Sequence, residues 1–345
     1  MRHLTPTPAQ IASIHNALAD IPWPSVDADA PRALLDRCPV AAQTPLIAAR
    51  DLAAQMGVAT LHIKDERARM GLGSFKALGA AYVIARDGAA GTARGQAYYT
   101  ASAGNHGLSV AAGAQAFGAR AVIYLAATVP EAFAARLEAM GAEVRWRGDV
   151  YEDSMDAAKA DAQAEGAVLL SDSSWPGYTD RPWRLMEGYL VLMQEAAAQM
   201  PDPPTHMFLQ AGVGGLAASA AAYARHIWGP DPRIVVVEPE VAPALIASMA
   251  AGRAIVAEGP ASAMGRLDCK EPSLIGLKGL ARDASDFMVI SEEEGAMGAQ
   301  MAEDAGLPST PSGAAGLAGL AVAASGEFGL DATSRVMVIL SEGPE

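Results

Sequence analysis

The chain is poor in cysteine: its 345 residues include only Cys38 and Cys269. Two thiols so far apart in sequence do not form the dense cysteine pattern of a secreted disulfide scaffold. They are typical of a protein from a reducing compartment, and we therefore expect a cytoplasmic protein. No supporting motif surrounds either thiol, so neither is predicted to be a catalytic nucleophile.

Basic residues and long apolar runs are also scarce. The chain has 25 Lys and Arg against 39 Asp and Glu, which is a formal net charge of -14. Because most of such a surface repels a phosphate backbone, nucleic acid is not an expected partner. Residues 1–13 lack a basic segment followed by an apolar run, and no later stretch is an apolar span of membrane length. We therefore expect neither a secretion signal nor a membrane partner.

Hydrophobic residues, by contrast, make up 51% of the chain, enough for a sizeable core in one large domain or two close lobes. Short β-rich runs alternate with longer Ala-rich segments, and this alternation predicts an α/β fold of parallel sheets flanked by helices. The predicted strands are 61–64, 96–100, 121–125, 143–146, 168–171, 206–210, 234–238, 287–290 and 336–340. The predicted helices include 75–86, 106–117, 151–165, 185–200, 216–227 and 314–324.

A lysine opens one of these helices, directly after a glycine-rich turn. Residues 71–79 read Gly-Leu-Gly-Ser-Phe-Lys-Ala-Leu-Gly, so that Lys76 lies in the first helical turn. The positive end of the helix dipole and the apolar neighbours Phe75 and Leu78 are expected to lower the pKa of the amine and to favour imine chemistry. The alternative is an ordinary exposed lysine at a helix start.

A second segment, residues 100–107, runs from a strand into a helix as Thr-Ala-Ser-Ala-Gly-Asn-His-Gly. Small residues at a helix N-terminus form an anion site that suits a carboxylate, and Asn105 can reach a nearby hydroxyl or phenolate. His106 has two interpretations, a general base or a helix-start residue that supports the loop. We favour the second.

A third segment, residues 210–217, also joins a strand to a helix and reads Gln-Ala-Gly-Val-Gly-Gly-Leu-Ala. Its backbone amides could bind a phosphate. The same residues support a rival, because Gly212-x-Gly214-x-x-Ala217, with Glu238 about twenty residues on, matches a dinucleotide fingerprint. A nicotinamide oxidoreductase would, however, leave the lysine and Asn-His segments unexplained.

Two polar residues follow other predicted strands. Asp172 comes after strand 168–171, where open α/β sheets place functional groups, although it could equally be a helix cap or turn residue. Ser341 comes after the terminal strand, where its neutral hydroxyl could bond a ring nitrogen and leave that nitrogen unprotonated. We propose no metal ligands from these segments.

In this order, the four segments Ser-Phe-Lys, Ser-x-Gly-Asn-His, the glycine loop and the late Ser resemble the fold type II pyridoxal-phosphate enzymes, which are related to the tryptophan synthase β subunit. The match spans about residues 40 to 343. Within that family the chain looks most similar to the diaminopropionate ammonia-lyases. The shared segments are 63–66, 71–79, 210–215, Asp172-x-x-Trp175-x-Gly177-Tyr178 and 341–343.

The resemblance implies a lyase that eliminates ammonia from a small L-amino acid such as 2,3-diaminopropionate, giving a 2-oxo acid. It carries over Lys76 as the Schiff-base lysine, Asn105 as the partner of the ring hydroxyl, and Gly212 to Gly215 as the phosphate loop. Asp172 matches an acidic residue near the substrate and is predicted to be catalytic with Lys76. The predicted phosphate loop is Gly212, Val213, Gly214, Gly215 and Leu216, and the predicted substrate loop is Thr100, Ser102, Ala103, Gly104, Asn105 and His106.

One departure from the family pattern leaves the leaving group open. The family usually has Asp before Gly-Asn-His, as a base opposite the lysine, whereas this chain has Ala103. The loop is instead similar to that of serine and threonine dehydratases, so that a dehydratase acting on serine, threonine or 3-hydroxyaspartate is the alternative. The nicotinamide oxidoreductase and a cofactor-holding protein without catalysis are the other two hypotheses.

The family also implies an organisation in two lobes, each with a largely parallel sheet flanked by helices. We assign residues 1–90 and 180–345 to a large cofactor-binding lobe and residues 91–179 to a small mobile lobe. Closure of the small lobe would exclude water from the reaction. Many relatives are homodimers, and we expect the same here.

Overall fold

The computed structural model describes residues 2–344, which form two sheets surrounded by helices. The strands are β1 (His3–Leu4), β2 (Leu46–Ala48), β3 (Thr60–Asp65), β4 (Ala97–Ala101), β5 (Arg120–Leu125), β6 (Glu143–Trp146), β7 (Val168–Leu169), β8 (His206–Gln210), β9 (Arg233–Pro239), β10 (Asp286–Ile290) and β11 (Arg335–Leu340). The helices are α1 (Pro8–Ala17), α2 (Asp29–Leu35), α3 (Arg50–Gln55), α4 (Lys76–Ala89), α5 (Asn105–Ala116), α6 (Glu131–Ala139), α7 (Tyr151–Glu165), α8 (Asp180–Gln199), α9 (Gly215–Trp228), α10 (Ala244–Ala251), α11 (Leu274–Asp283), α12 (Glu292–Asp304) and α13 (Ala315–Ala323). Short 3-10 helices occur at Arg69–Gly71 and Glu327–Gly329.

The larger sheet has seven strands in the order β1-β10-β9-β8-β11-β3-β2. Its inner pairs are parallel, while the short edge strands β1 and β2 are antiparallel to β10 and β3. The inner strands are buried on both faces, as the run Ile234, Val235, Val236 and Val237 in β9 illustrates. Continuous apolar strands of this kind are expected where helices cover both faces of a parallel sheet.

The smaller sheet has four parallel strands in the order β6-β5-β4-β7. Alternate residues of β4 point to opposite faces, so that Tyr98 packs in the main core with Leu108 and Val110 of α5, whereas Tyr99 packs against Met155 and other residues of α7. Every strand of this sheet lies between residues 97 and 169.

The predicted α/β fold is confirmed, and most predicted strands agree with the structure to within a residue at each end. The predicted strand 168–171 is shorter in the structure, because Ser171 leaves the sheet and donates its N–H to the Tyr178 hydroxyl. The edge strands β1 and β2 were not predicted. With two and three residues, they are too short to produce an alternating pattern.

The parallel strands bring the predicted site segments to one edge of each sheet. The Lys76 turn follows β3, the 100–106 loop follows β4, and Asp172 comes three residues after β7. The glycine loop follows β8, and Ser341 follows β11. Since the carboxyl ends of parallel strands share one edge, five segments distant in sequence can meet there. None of the helices described between residues 2 and 344 is long and apolar enough to cross a membrane.

Candidate active site

Lys76 is the first residue of α4, and the turn that delivers it is tied to the end of the terminal strand. The Phe75 N–H donates to the Ser341 carbonyl oxygen at 3.0 Å, and Ser74 forms a β-bridge with Glu342. These contacts join the lysine turn to Ser341, the predicted partner of a ring nitrogen. The position of the lysine is therefore set by β11 as well as by its own helix.

The Lys76 side chain forms an ion pair with Asp172, with 2.5 Å between Nζ and Oδ2. Nζ also lies 5.2 Å from the Phe75 ring centroid and 5.9 Å from that of Tyr189, within the range of cation–π attraction. Burial alone would lower the pKa of Lys76, but the Asp172 carboxylate outweighs it and raises that pKa above its ordinary value. The predicted lowering of the lysine pKa is therefore wrong, because the local sequence does not include its partner.

Asp172 is held by an aromatic turn rather than by the strand. The Tyr178 hydroxyl accepts from the Ser171 N–H and donates to the Leu169 carbonyl, and the Tyr178 ring stacks on Trp175 with 4.3 Å between centroids. Burial would raise the pKa of the Asp172 carboxyl, but the Lys76 ammonium lowers it well below its usual range. Asp172 thus stands in the site as an anion.

The predicted substrate loop ends where α5 begins, with Gly104 at the N-cap and Asn105 as the first helical residue. The Gly104 N–H donates to Ser102 Oγ at 3.3 Å, while Ala103 packs against the main core. His106 is buried, and its Nε2 lies 2.8 Å from the Leu170 carbonyl oxygen. Burial lowers the pKa of His106, and the contact of its ring with the Leu170 carbonyl suits a residue that supports the loop.

The predicted phosphate loop opens α9 with the geometry of an anion site. Gly214 has φ +96°, a left-handed conformation that favours glycine, and α9 begins at Gly215. The first N–H groups of a helix have no acceptor within it and point outward from its N-terminus. Gly212 lies close to Cys269, and a Cβ at Gly212 would be only 2.9 Å from the thiol sulfur.

Two site residues were missed by sequence reasoning, Cys269 and Tyr189. Cys269 lies in the segment between α10 and α11, which carries no motif, and burial raises the pKa of its thiol to about 12. Tyr189 comes from α8, which crosses α4 closely: a Cβ at Gly188 would lie 2.5 Å from the Leu78 carbonyl oxygen. A glycine inside a helix was the available signal for this close crossing.

Asn105 connects the substrate loop with the end of β11, since its side-chain Nδ2 donates to the Glu342 carboxylate. The neighbouring Ser341 is buried, and its N–H donates to the Gly313 carbonyl at 3.2 Å. The segment 341–342, which includes Ser341, thus contacts Asn105 directly and also contacts Ser74 and Phe75, the two residues before Lys76. The structure brings Lys76 and Asp172 together by their own ion pair.

Several buried polar atoms around these segments have no hydrogen-bond partner among residues 2–344, which is unusual because buried polar groups are nearly always hydrogen-bonded. They are Ser74 Oγ, Thr100 Oγ1 and His106 Nδ1. A ligand rich in hydroxyl and phosphate oxygens would supply partners, and the N-terminus of α9 would hold its phosphate. The residues present therefore fit pyridoxal phosphate.

Glu238 removes the main support for the rival dinucleotide interpretation. Its side chain is fully buried, and its two carboxylate oxygens accept the N–H groups of Leu245 and Ile246 at 2.7 Å each. A carboxylate used in this way caps α10 and is not available to a ribose hydroxyl. The rival interpretation, which needs Glu238 to bind a ribose hydroxyl, is therefore not supported.

Comparisons with known proteins identify the family of the chain. The model of the family "Pyridoxal-phosphate dependent enzyme" matches residues 38–342. Diaminopropionate ammonia-lyase of Escherichia coli (strain K12) is 33% identical over 281 residues, which are 75% of this chain and 70% of that protein. The biosynthetic chloroplastic threonine dehydratase of Arabidopsis thaliana is 31% identical over 217 residues, or 63% of this chain and 35% of that protein.

Among solved structures, Escherichia coli diaminopropionate ammonia-lyase in complex with an aminoacrylate-PLP azomethine reaction intermediate superimposes with a TM-score of 0.86. That match is 29% identical and covers 98% of this chain and 90% of the other. The predictions of a lyase, of the fold and of pyridoxal phosphate as cofactor are confirmed. The chain belongs to the family of pyridoxal-phosphate-dependent enzymes, with the fold type II architecture that it shares with diaminopropionate ammonia-lyase.

Proposed function

We propose that this enzyme eliminates ammonia from a small L-amino acid that carries a β-amino group, such as 2,3-diaminopropionate. The α-proton and the β-ammonia leave, and the resulting 2-aminoacrylate reacts with water to give pyruvate and a second ammonia. The observation that carries the proposal is the Lys76–Asp172 pair, in which an amine and an anionic carboxylate lie 2.5 Å apart. The names of the ammonia-lyase relatives support the same substrate class.

In this proposal Lys76 would hold the cofactor, and its side-chain amine would remove the substrate α-proton. Pyridoxal phosphate supplies the electron-withdrawing ring that makes this proton acidic. Asn105 would hold the ring hydroxyl, Ser341 the ring nitrogen, and the backbone of 212–216 the phosphate. The 100–106 loop at the N-terminus of α5 would bind the substrate α-carboxylate.

Asp172 would bind the β-ammonium group of the substrate, which already carries the proton with which ammonia leaves. The pKa of Asp172 lies well below the usual range, so at neutral pH its carboxylate offers a negative charge that matches a diamino acid. A hydroxy amino acid brings no cation for this carboxylate. Asp172 thus favours ammonia over hydroxide as the leaving group.

The dehydratase alternative rests on a different residue, Ala103, which stands where the ammonia-lyases usually have Asp. Without a carboxylate at that position, the chain lacks the base that the family places opposite the lysine, and we expect L-substrates only. The threonine dehydratase relatives keep serine, threonine and 3-hydroxyaspartate as the second candidate class.

The test compares products from four L-amino acids. The purified enzyme with pyridoxal phosphate is given L-2,3-diaminopropionate, L-serine, L-threonine and 3-hydroxyaspartate separately, and both 2-oxo acid and ammonia are measured. Diaminopropionate should yield two ammonia per 2-oxo acid, whereas a hydroxy amino acid yields one. Turnover of hydroxy amino acids alone would make the enzyme a dehydratase, and no turnover of any of the four would refute both candidates.

We also propose the lobe boundaries and the dimer that the resemblance implies, and the cytoplasmic location predicted from the low cysteine content. Residues 91–179 contain the whole smaller sheet and would close over the cofactor during turnover. Limited proteolysis with and without substrate tests closure, since closing should protect the links near residues 90 and 180. Sedimentation velocity tests the homodimer, and fractionation of expressing cells tests the location.

A further inference from the structure

Glu342 is a buried carboxylate at the candidate site to which no role has been given so far. Its side chain accepts hydrogen bonds from Asn105 Nδ2 and from Thr310 Oγ1, and Arg266 Nε lies 3.9 Å from the oxygen that Asn105 binds. The residue is only 5% exposed. A carboxylate with these partners is fixed in direction, since both of its oxygens are engaged.

The backbone of Glu342 is fixed as well. Ser309 Oγ donates to its carbonyl oxygen at 2.6 Å, and the next residue, Gly343, donates its N–H to the Gly73 carbonyl at 3.0 Å. With the bridge to Ser74, these contacts attach Glu342 to the turn that delivers Lys76. Glu342 is therefore part of a rigid support on the large sheet.

Asn105, in contrast, belongs to α5, which packs on the smaller sheet. An Asn side chain at a helix start has several rotamers, and its amide can be turned either way. The amide nitrogen carries two N–H groups, so the bond to Glu342 uses one and leaves the other for a further acceptor. The carboxylate also polarises the amide and strengthens its second donor.

We infer that Glu342 is a positioning residue that orients the Asn105 amide so that Nδ2 presents its second N–H to the ring hydroxyl of the cofactor. Glu342 does this from the segment that also carries Ser341, so one support on β11 sets both ring contacts. The inference rests on the proposed role of Asn105 and adds to it the residue that makes Asn105 effective.

The test is a double-mutant cycle with E342A, N105A and the double variant. For each protein, the dissociation constant of pyridoxal phosphate is measured by titrating the apoprotein, and the visible absorbance maximum of the bound cofactor is recorded. Loss of a charge-assisted hydrogen bond should weaken cofactor binding roughly tenfold or more in E342A. Because Glu342 acts through Asn105, the double variant should bind only as weakly as N105A, and both single variants should shift the absorbance maximum.

D286N is the matched control, because Asp286 is also buried and is also held by a Thr hydroxyl and an Arg, at the opposite edge of the sheet. It should leave cofactor affinity and absorbance unchanged, even if it lowers the melting temperature of the apoprotein. E342Q keeps the shape and an acceptor oxygen, and we expect it to recover most of the affinity. If E342A does not fold, E342Q replaces it in the same cycle. The changes in cofactor affinity and in absorbance maximum should then be smaller and in the same direction.

Effects of E342A and N105A that multiply in the double variant would overturn the inference, as would an E342A protein with unchanged affinity and absorbance. An E342A defect that only lowers the melting temperature, as in D286N, would also overturn it and assign Glu342 to stability alone. Failure of the proposed function is recognised separately, because the wild-type protein would then turn over none of the four amino acids.

Discussion

Two lysine–carboxylate pairs in this chain differ in burial and in how many partners they have. Lys64 lies 2.8 Å from Glu195, and it also donates to the Thr44 carbonyl and to Gln199. Glu195 accepts in addition from Arg69, Arg32 and the Thr44 N–H. Both side chains are 2% exposed or less, whereas the side chains of Lys76 and Asp172 are 22% and 21% exposed.

The two lysines consequently have pKa values shifted in opposite directions. Burial lowers the pKa of Lys64. Glu195 does not outweigh it, because this carboxylate also pairs with two arginines. At Lys76 the Asp172 carboxylate has no second cation among its ion pairs in the described residues, and it outweighs burial. A shared and saturated cluster supports the fold, while an exclusive and accessible pair can exchange its partner for a ligand.

The largest expected effect is that of K76A. Loss of the amine should abolish the visible absorbance of lysine-bound cofactor and lower turnover by at least about a thousandfold. The free energy of unfolding of the apoprotein should change little, because the pair is partly accessible. Absorbance spectra, product assays and urea unfolding measure these quantities. Covalently bound cofactor in K76A would show that another lysine serves.

Glu195→Ala tests the cluster around Lys64 and should, in contrast to K76A, lower the free energy of unfolding and leave turnover nearly unchanged. Removing it leaves Lys64 and Arg69 buried without their shared partner, which should cost about 3–5 kcal/mol in the free energy of unfolding. The Lys76–Asp172 pair is not touched, so turnover per folded molecule should persist. Urea unfolding and activity below the unfolding transition check this. The control is Asp36→Ala, which removes an exposed partner of Arg32 and should cost less than about 1 kcal/mol.

These pairs also show what sequence reasoning can reach. The Lys76 turn, the glycine loop and the strands before them were predicted because each depends on residues close in sequence. Asp172 was singled out, but its pairing with Lys76, 96 residues away, was not, and the predicted pKa of the lysine was therefore wrong in direction. The Lys64-Asp65-Glu66 segment was noted without Glu195, which is 131 residues from Lys64. Tertiary partners of this kind leave no local pattern.

Asp172→Asn sharpens the comparison by removing only the charge of the exclusive pair. The amide keeps the shape but no longer attracts a β-ammonium, so kcat/KM for diaminopropionate should fall roughly a hundredfold. Any activity on L-serine should fall much less, because serine brings no second cation. Steady-state kinetics with both substrates measure the ratio. An equal fall in kcat/KM for both substrates would mean that Asp172 acts on Lys76 and does not bind the β-ammonium of the substrate.

Glu238 extends the comparison to a buried carboxylate that is held by backbone N–H groups alone, and it should produce the smallest effect. Burial raises its pKa from 4.5 to about 8, although the N–H groups of Leu245 and Ile246 favour the charged form. Between those two pH values the folded protein keeps a proton that the unfolded chain has released. The free energy of unfolding should therefore fall as pH rises through this window.

Glu238→Gln tests that sign, because glutamine cannot titrate. The free energy of unfolding of the variant, measured relative to that of the wild type, should be higher at pH 8 than at pH 5. The free energy of unfolding of the variant should therefore depend less steeply on pH. Urea unfolding at several pH values between 5 and 8 gives both slopes, and Glu240→Gln controls for the same loss of charge at an exposed position. A slope as steep in Glu238→Gln as in the wild type would mean that the two backbone N–H groups suffice to keep the buried carboxylate charged, without any cation.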